Sequence, residues 1–352
     1  MEMRNLATAL ALLTLSASAL AAGTPKYKVV ILSITDWYTA AIGNNGTVLL
    51  SQSNWNDSRP IVTDGVQQTM LGTLGGHATY GHDINSSNTV VGRSQDASNQ
   101  LRAFIWKDNV MRAIGGARSI ATGINDAGTV IGHLGTGERS QRGFVYTEAG
   151  GMVVIGTLGG EGSAVTAIHE DGRVLGKAQD IAGTWKNFVY ENGAMTVIDT
   201  DLALTGFAPD GGYYGVRLSG TVAHTEAIVF RDGVVETSYR LSAITDMNAT
   251  GLATGLDHRT NQVGMLGFPD GSAYSIEQLV DDPRWWVGWS ALSGINDAGQ
   301  IIGTGCVVTT GCYAIRLDPL AAVPEPATWT MLAAGLAFIG WKSGRRPGRQ
   351  PA

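Results

Sequence analysis

The chain has 352 residues, 48 of them glycine; 15% are charged, 44% are hydrophobic and the formal net charge is −6. The glycines follow no every-third-residue period, which excludes collagen, and glycine costs a helix about 1 kcal/mol relative to alanine, which argues against a mainly helical protein. Apolar residues recur throughout, which excludes disorder, and a chain this long buries a core without a disulfide framework; a turn-rich, all-β protein remains.

Residues 1–21 read as a signal peptide. Arg4 supplies the positive start, Leu6 to Leu15 are apolar, and Ala19-Leu20-Ala21 offers an A-x-A cleavage site after Ala21. The other reading is an uncleaved anchor; the short apolar run ending in small residues favours cleavage. The first predicted strand, Tyr27 to Ile34, then belongs to no repeated unit.

From there a unit of about 40 residues recurs. Its anchor is Ile42, Ile84, Ile124, Ile168, Phe207, Met247 and Ile295. Four residues on stand Gly46, Asn88, Gly128, Gly172, Gly211, Gly251 and Gly299. Glycine and asparagine adopt positive φ most readily, so this position is a left-handed turn. Eight residues after the anchor stand Leu50, Gly92, Gly132, Gly176, Gly215, Gly255 and Gly303. Glycine fixed in a strand marks a bulge or close backbone approach, and crowding around a central axis would supply the reason. A third strand follows, as in Phe104-Ile105-Trp106 and Phe144-Val145-Tyr146. Hairpin turns come next, at Asp64-Gly65, Asp108-Asn109, Asn192-Gly193, Asp232-Gly233 and Asp270-Gly271, and then a fourth strand.

Four antiparallel strands per repeat make one blade of a β-propeller. A solenoid is the alternative, but it needs capping repeats, and none is visible. The seventh unit lacks a fourth strand while Tyr27 to Ile34 lacks a unit. Pairing the two closes a ring of seven blades and removes exposed edges. The predicted organisation is a signal peptide over 1–21, a propeller over 22–322 and a tail over 323–352.

The longest repeat interval holds Trp285, Trp286 and Trp289 beside Asp281 and Asp282. Aromatic faces with carboxylates suit sugar rings; the plainer reading is core packing and cover for a blade edge. Cys306 and Cys312, six residues apart, can face each other across a hairpin. In an exported chain they are expected to form a disulfide; two thiolates with no nearby histidine do not complete a zinc site. The Asn-Asp-Ala-Gly loops offer too few oxygens for calcium, and the asparagine amide is expected to bond its own turn. The six histidines show no helical metal spacing, no helix is expected, and no nucleophile elbow or phosphate loop appears. No catalytic residue, metal ligand or cofactor is assigned. Paired carboxylates in one cleft would allow glycoside hydrolysis, a pairing that only a fold can reveal.

The chain ends in Val323-Pro324-Glu325-Pro326, the uncharged segment Ala327 to Trp341, and Lys342, Arg345, Arg346 and Arg349. Fifteen apolar residues are short for a spanning helix, and the basic end favours the cytoplasmic side. Residues 1–21 are charge-balanced, so removing the four positive charges of 327–352 leaves −10 on residues 22–326. An acidic surface argues against nucleic acid or anionic lipid as partners.

This tail resembles the PEP-CTERM sorting signal of bacterial exported proteins, carried by Pro324, Glu325, Pro326, the apolar stretch and Arg345-Arg346. The resemblance implies processing by an exosortase-type protease near the Pro-Glu-Pro. It implies a transient inner-membrane anchor through the tail alone, then the cell surface, extracellular matrix or biofilm; a simple retained anchor is the alternative. The units also resemble HAF repeats. Gly72-Thr73-Leu74-Gly75-Gly76 and Gly156-Thr157-Leu158-Gly159-Gly160 carry the glycine-rich opening. Ile124-Asn125-Asp126-Ala127-Gly128 and Ile295-Asn296-Asp297-Ala298-Gly299 carry the core, and Arg102-Ala103-Phe104 stands where that family has His-Ala-Phe. The resemblance implies an exported β-repeat protein and no established chemistry. Two expectations follow: a non-enzymatic surface or matrix protein binding exopolysaccharide or another exported protein, or a secreted glycan hydrolase or lyase on a propeller scaffold.

Overall fold

The computed structural model describes residues 25–34, 37–52, 57–135, 141–209, 211–217, 225–257, 263–280, 285–286, 291–307 and 311–320. The signal segment with Ala21, Trp289, and the tail with Pro324, Glu325, Pro326, Arg345 and Arg346 lie outside these residues.

Each repeat folds into one antiparallel sheet, and seven sheets make a seven-bladed β-propeller. Blades 1 to 6 span residues 37–70, 75–117, 119–154, 159–198, 203–238 and 243–275. Blade 7 is built from Leu292–Ile295, Ile301–Val307 and Gly311–Pro319, with the N-terminal strand Tyr27–Ile34 on its outer edge. The chain's first strand thus fastens to its last blade, as the unpaired strand and the incomplete unit required.

Every innermost strand ends at its anchor. The seven are Trp37–Ile42, Gly75–Ile84, Ser119–Ile124, Gly159–Ile168, Ala203–Phe207, Ala243–Met247 and Leu292–Ile295. The turn that follows is the same in all. The residue at anchor+4 has positive φ, 59° at Asn88 and 74–93° at the six glycines. Its N–H donates to the carbonyl at anchor+1 over 2.9–3.1 Å. This is a tight turn closed by a left-handed residue, which joins antiparallel strands without splaying them.

Each innermost strand also carries a bulge, between the positions three and one before the anchor. The extra residue bends the strand and re-aims its side chain. The bulge explains the second glycine. A Cβ on Gly92, Gly132, Gly176, Gly215, Gly255 or Gly303 would strike the carbonyl oxygen of the residue four before the anchor on the neighbouring strand of its own blade. Crowding inside the blade, rather than around the central axis, therefore requires glycine there. The outer hairpins are less uniform than their sequences imply. Both central residues have positive φ at Asp108-Asn109, Asn192-Gly193 and Asp232-Gly233; at Asp64-Gly65 and Asp270-Gly271 only the glycine does. In those two loops the Asp side chain accepts nearby backbone N–H bonds at 2.7–2.8 Å instead.

The core lies between blades. Alternate residues of a strand point to opposite faces, so each sheet feeds two interfaces. Phe104 packs back against Leu49 and Val62 of blade 1, while Ala103 and Ile105 pack forward against Ile124 and Phe144 of blade 3. Phe144 and Phe188 repeat the arrangement one blade further each time and are fully buried. One helical turn, α1 (Ile276–Leu279), departs from the all-β expectation. It follows the three-residue outer strand of blade 6 and buries Ile276 and Leu279 between blades 6 and 7. Cys306 and Cys312 are cross-strand partners in blade 7 and form a disulfide.

Candidate functional site

The anchor turns converge on one end of the central channel, where residues of all seven blades enclose a cavity of about 550 Å³. The bulged residues line it in four blades, as Thr122, Thr166, Thr205 and Thr245. Five carboxylates share its wall: Asp83, Asp126, Glu170, Asp246 and Asp297. Among the described residues no lysine or arginine lines it, and His169 is held by Asp171 at 2.9 Å.

The wall is tied blade to blade. The asparagine after the anchor does bond its own turn: Oδ1 of Asn125 accepts the Thr129 N–H at 2.9 Å, and Asn85, Asn248 and Asn296 do the same at anchor+5. The other half of the amide crosses to the next blade. Nδ2 of Asn85 donates to the Asn125 carbonyl at 3.1 Å, and that of Asn125 to the His169 carbonyl at 3.2 Å. Asn248 reaches the Asn296 carbonyl at 3.0 Å, and Asn296 the Gly43 carbonyl at 3.1 Å, across the ring closure. Blade 5 presents Gly206, Ala208 and Pro209 at the matching positions, with no polar side chain to offer.

Asp83 and Asp246 occupy the same repeat position, one before the anchor. One oxygen of each accepts the N–H of its own anchor at 2.8 Å; the other accepts the N–H of the next blade's anchor, Ile124 or Ile295, at 2.9 Å. Protein surrounds both, and each keeps part of its surface on the channel. Burial pushes the Asp83 carboxyl up to about 7, outweighing its two backbone hydrogen bonds, with Asp246 and Glu170 adding repulsion. Burial likewise raises Asp246 to about 6, and Glu170 is raised by burial and by Asp126. Burial thus costs each of these carboxyls part of its ionisation, and repulsion between them adds to that cost.

Tyr214 is the remaining polar group. Its side chain is only 8% exposed and lines the cavity, and its hydroxyl has no hydrogen-bond partner among the described residues. It fits because blade 5 has Gly206 where blades 2 and 6 have Asp; a Cβ there would meet the phenol ring and oxygen. Burial raises the phenol, with Asp246 contributing.

Sequence reasoning missed Asp83, Asp246 and Tyr214, although aligned repeats carry the signal. At the position before the anchor five blades have Ala or Gly, so the two Asp stand out. At anchor+7 the other blades have Leu49, Val91, Ile131, Leu175, Thr254 and Ile302, so Tyr214 stands out. Trp285–Trp286 form a short strand paired with Val307 and Cys306 of blade 7.

Residues 322–346 match the PEP-CTERM protein-sorting motif. The motif implies export, exosortase processing and transient anchoring through the tail; among the described residues no helix is long and apolar enough to cross a membrane. No curated protein matches the chain in sequence. Among solved structures, the chain is similar to the β-propeller domain of the Trilobed protease from Pyrococcus furiosus, which has an open velcro topology. The TM-score is 0.51 and the identity 8%, over 86% of this chain and 100% of that one. It is also similar to an acylaminoacyl peptidase from Pyrococcus horikoshii, with TM-score 0.51 and identity 10%, over 90% of this chain and 54% of that one. At such identities the likeness concerns the fold alone.

Proposed function

We propose that the chain is a non-enzymatic, exported binding protein of the cell surface or extracellular matrix, released from its tail by an exosortase-type protease. Its ligand, an exopolysaccharide or another exported protein, enters the central cavity. The observation that carries this reading is the cavity itself, which is lined by polar side chains and holds a phenol with no hydrogen-bond partner among the described residues. The HAF-type likeness of the units agrees with an exported repeat protein. The test is a glycan-array screen of the full-length chain with Tyr214→Phe alongside. Binding that the variant weakens supports the reading; absence of binding to any glycan, together with no exported protein captured through the cavity, refutes it.

A specific observation favours a second reading, a secreted glycan hydrolase or lyase. Asp83 and Asp246 line one cavity and are raised to about 7 and about 6, the range in which one carboxyl can hold a proton as an acid while the other is ionised as a base. Against it, both oxygens of each already accept backbone N–H groups, so the carboxyls are fixed as ties between blades. Release of new reducing ends from oligosaccharides would decide for catalysis. The segment around Trp285, Trp286 and Trp289 is a further candidate glycan contact, tested by comparing Trp285→Ala and Trp289→Ala on the same array.

A further inference from the structure

We propose that the central cavity takes a hexosamine glycan with free amino groups, its ammonium held among the carboxylates and its hydroxyls by Tyr214 and the bulge threonines. The inference rests on the binding reading above and names the ligand's chemistry.

Charge comes first. Asp83, Asp126, Glu170, Asp246 and Asp297 face the cavity, and among the described residues no lysine or arginine joins them. Burial raises the proton affinity of Asp83, Glu170 and Asp246, and neighbouring like charges add to the shift. A ligand cation would take the place of those protons. The same field repels uronate polymers and other anions.

The lining favours a polyatomic cation over a bare metal ion. Among the described residues no three carboxylate, histidine or cysteine groups come together as metal ligands. The five carboxylates are spread over blades 2, 3, 4, 6 and 7, and each is turned by a neighbour's bond. Asp126 accepts from Ser86 at 2.7 and 2.8 Å, Glu170 from the Asp126 N–H at 2.9 Å, and Asp297 from Ala249 and Asn44 at 2.8 and 2.9 Å. A spread negative wall suits a polyatomic cation that also hydrogen-bonds.

Tyr214 points independently to a ligand. The residue is 8% exposed, yet its hydroxyl opens on the cavity with no hydrogen-bond partner among the described residues, whereas the hydroxyl of a tyrosine enclosed by protein normally finds one. Thr122, Thr166, Thr205 and Thr245 add hydroxyls from four successive blades. Sugar hydroxyls match such a lining, and the volume falls within the usual ligand range of about 300–1,000 Å³.

The experiment is calorimetric titration of the full-length chain with a glucosamine trimer, its N-acetylated form, a galacturonate trimer and spermidine. The glucosamine trimer is expected to bind at least tenfold more tightly than the other three, and less tightly as salt rises. Tyr214→Phe, which loses no hydrogen bond to the described residues, weakens it about fivefold, the worth of one hydrogen bond of about 1 kcal/mol. Glu170→Gln, which keeps an acceptor for Asp126, weakens it as well. Affinity falls between pH 7 and pH 5 as Asp83 and Asp246 take up protons beside Asp126, Glu170, Asp297, His169 and Tyr214. Equal binding of the acetylated trimer or of spermidine, or full affinity in Tyr214→Phe, overturns the inference. If only the acetylated or uronate trimer binds, and Tyr214→Phe weakens it, the amino-sugar inference fails while the binding reading stands. Cleavage of the trimer refutes the binding reading itself.

Discussion

Replacing Asn125 tests whether the inter-blade amides hold the ring together. Asn125 is 1% exposed; Oδ1 takes the Thr129 N–H at 2.9 Å and Nδ2 gives to the His169 carbonyl at 3.2 Å. Asn125→Ala leaves the half-buried Thr129 N–H without its acceptor and removes one of two donors from the His169 carbonyl, which keeps the Gly172 N–H at 3.0 Å. A loss of about 2 kcal/mol is expected. For a domain of this size that lowers Tm by roughly 3–4 °C, read by circular dichroism of the β signal. Asn45 is exposed and also reaches the next blade, at Ser86 and Asn88; Asn45→Ala should cost less than about 1 kcal/mol, because water replaces what is lost. Asn125→Asp separates the two halves of the amide. It keeps an acceptor for Thr129 but sets a carboxylate against the His169 carbonyl, which raises the folded-state pKa of the new Asp. A raised pKa means that stability is present below the unfolded value near 4 and is lost as pH rises through the folded value. Asn125→Asp should therefore approach the wild type at pH 4 and fall well below it at pH 7.5. If Asn125→Ala and Asn45→Ala melt together, or if Asn125→Asp shows no pH dependence beyond wild type, the amide ties do not stabilise the ring.

Three further outcomes follow from the same structure. Asp83 and Asp246 are raised to about 7 and about 6, so the wild type should gain Tm as pH falls from 8 to 5; a Tm that instead rises from pH 5 to 8 contradicts their burial. The gain should stop below about pH 4, because Asp64, Asp96, Asp171 and Asp270 are held low by hydrogen bonds and their contribution is lost on protonation. Gly132→Ala, which drives a Cβ into the Ile120 carbonyl, should cost at least about 3 kcal/mol, whereas Gly128→Ala, strained in φ but in open space, should cost about 1 kcal/mol; urea unfolding of the pair checks the order. Arg316 of blade 7 donates to the carbonyls of Gly46 and Asp64 in blade 1 at 2.8 and 3.0 Å and pairs with Asp318 at 2.7 Å. Arg316→Met should loosen ring closure by about 2 kcal/mol and speed proteolysis near the N-terminal strand; an unchanged cleavage rate would show that the strand pairing alone closes the ring.

The repeat by itself determined much of this protein. Anchor spacing, turn residues and strand glycines located seven blades, the strand ends and the extra N-terminal strand. These features are local: a hairpin partner lies within about ten residues, and a positive-φ turn leaves glycine or asparagine in the chain. The glycines that first spoke only against helix thus record a turn and a bulge in each blade. What faces what across the ring was decided by tertiary structure. Asn85 meets Asn125 from 40 residues away, and Asn296 meets Gly43 from 253. Asp83, Asp246 and Tyr214 come from three blades into one cavity because the bulges turn inner-strand positions toward the axis and Gly206 leaves room for a phenol. A period shows which residues occupy equivalent places; only closing the ring brings non-equivalent ones together, and there the candidate site lies.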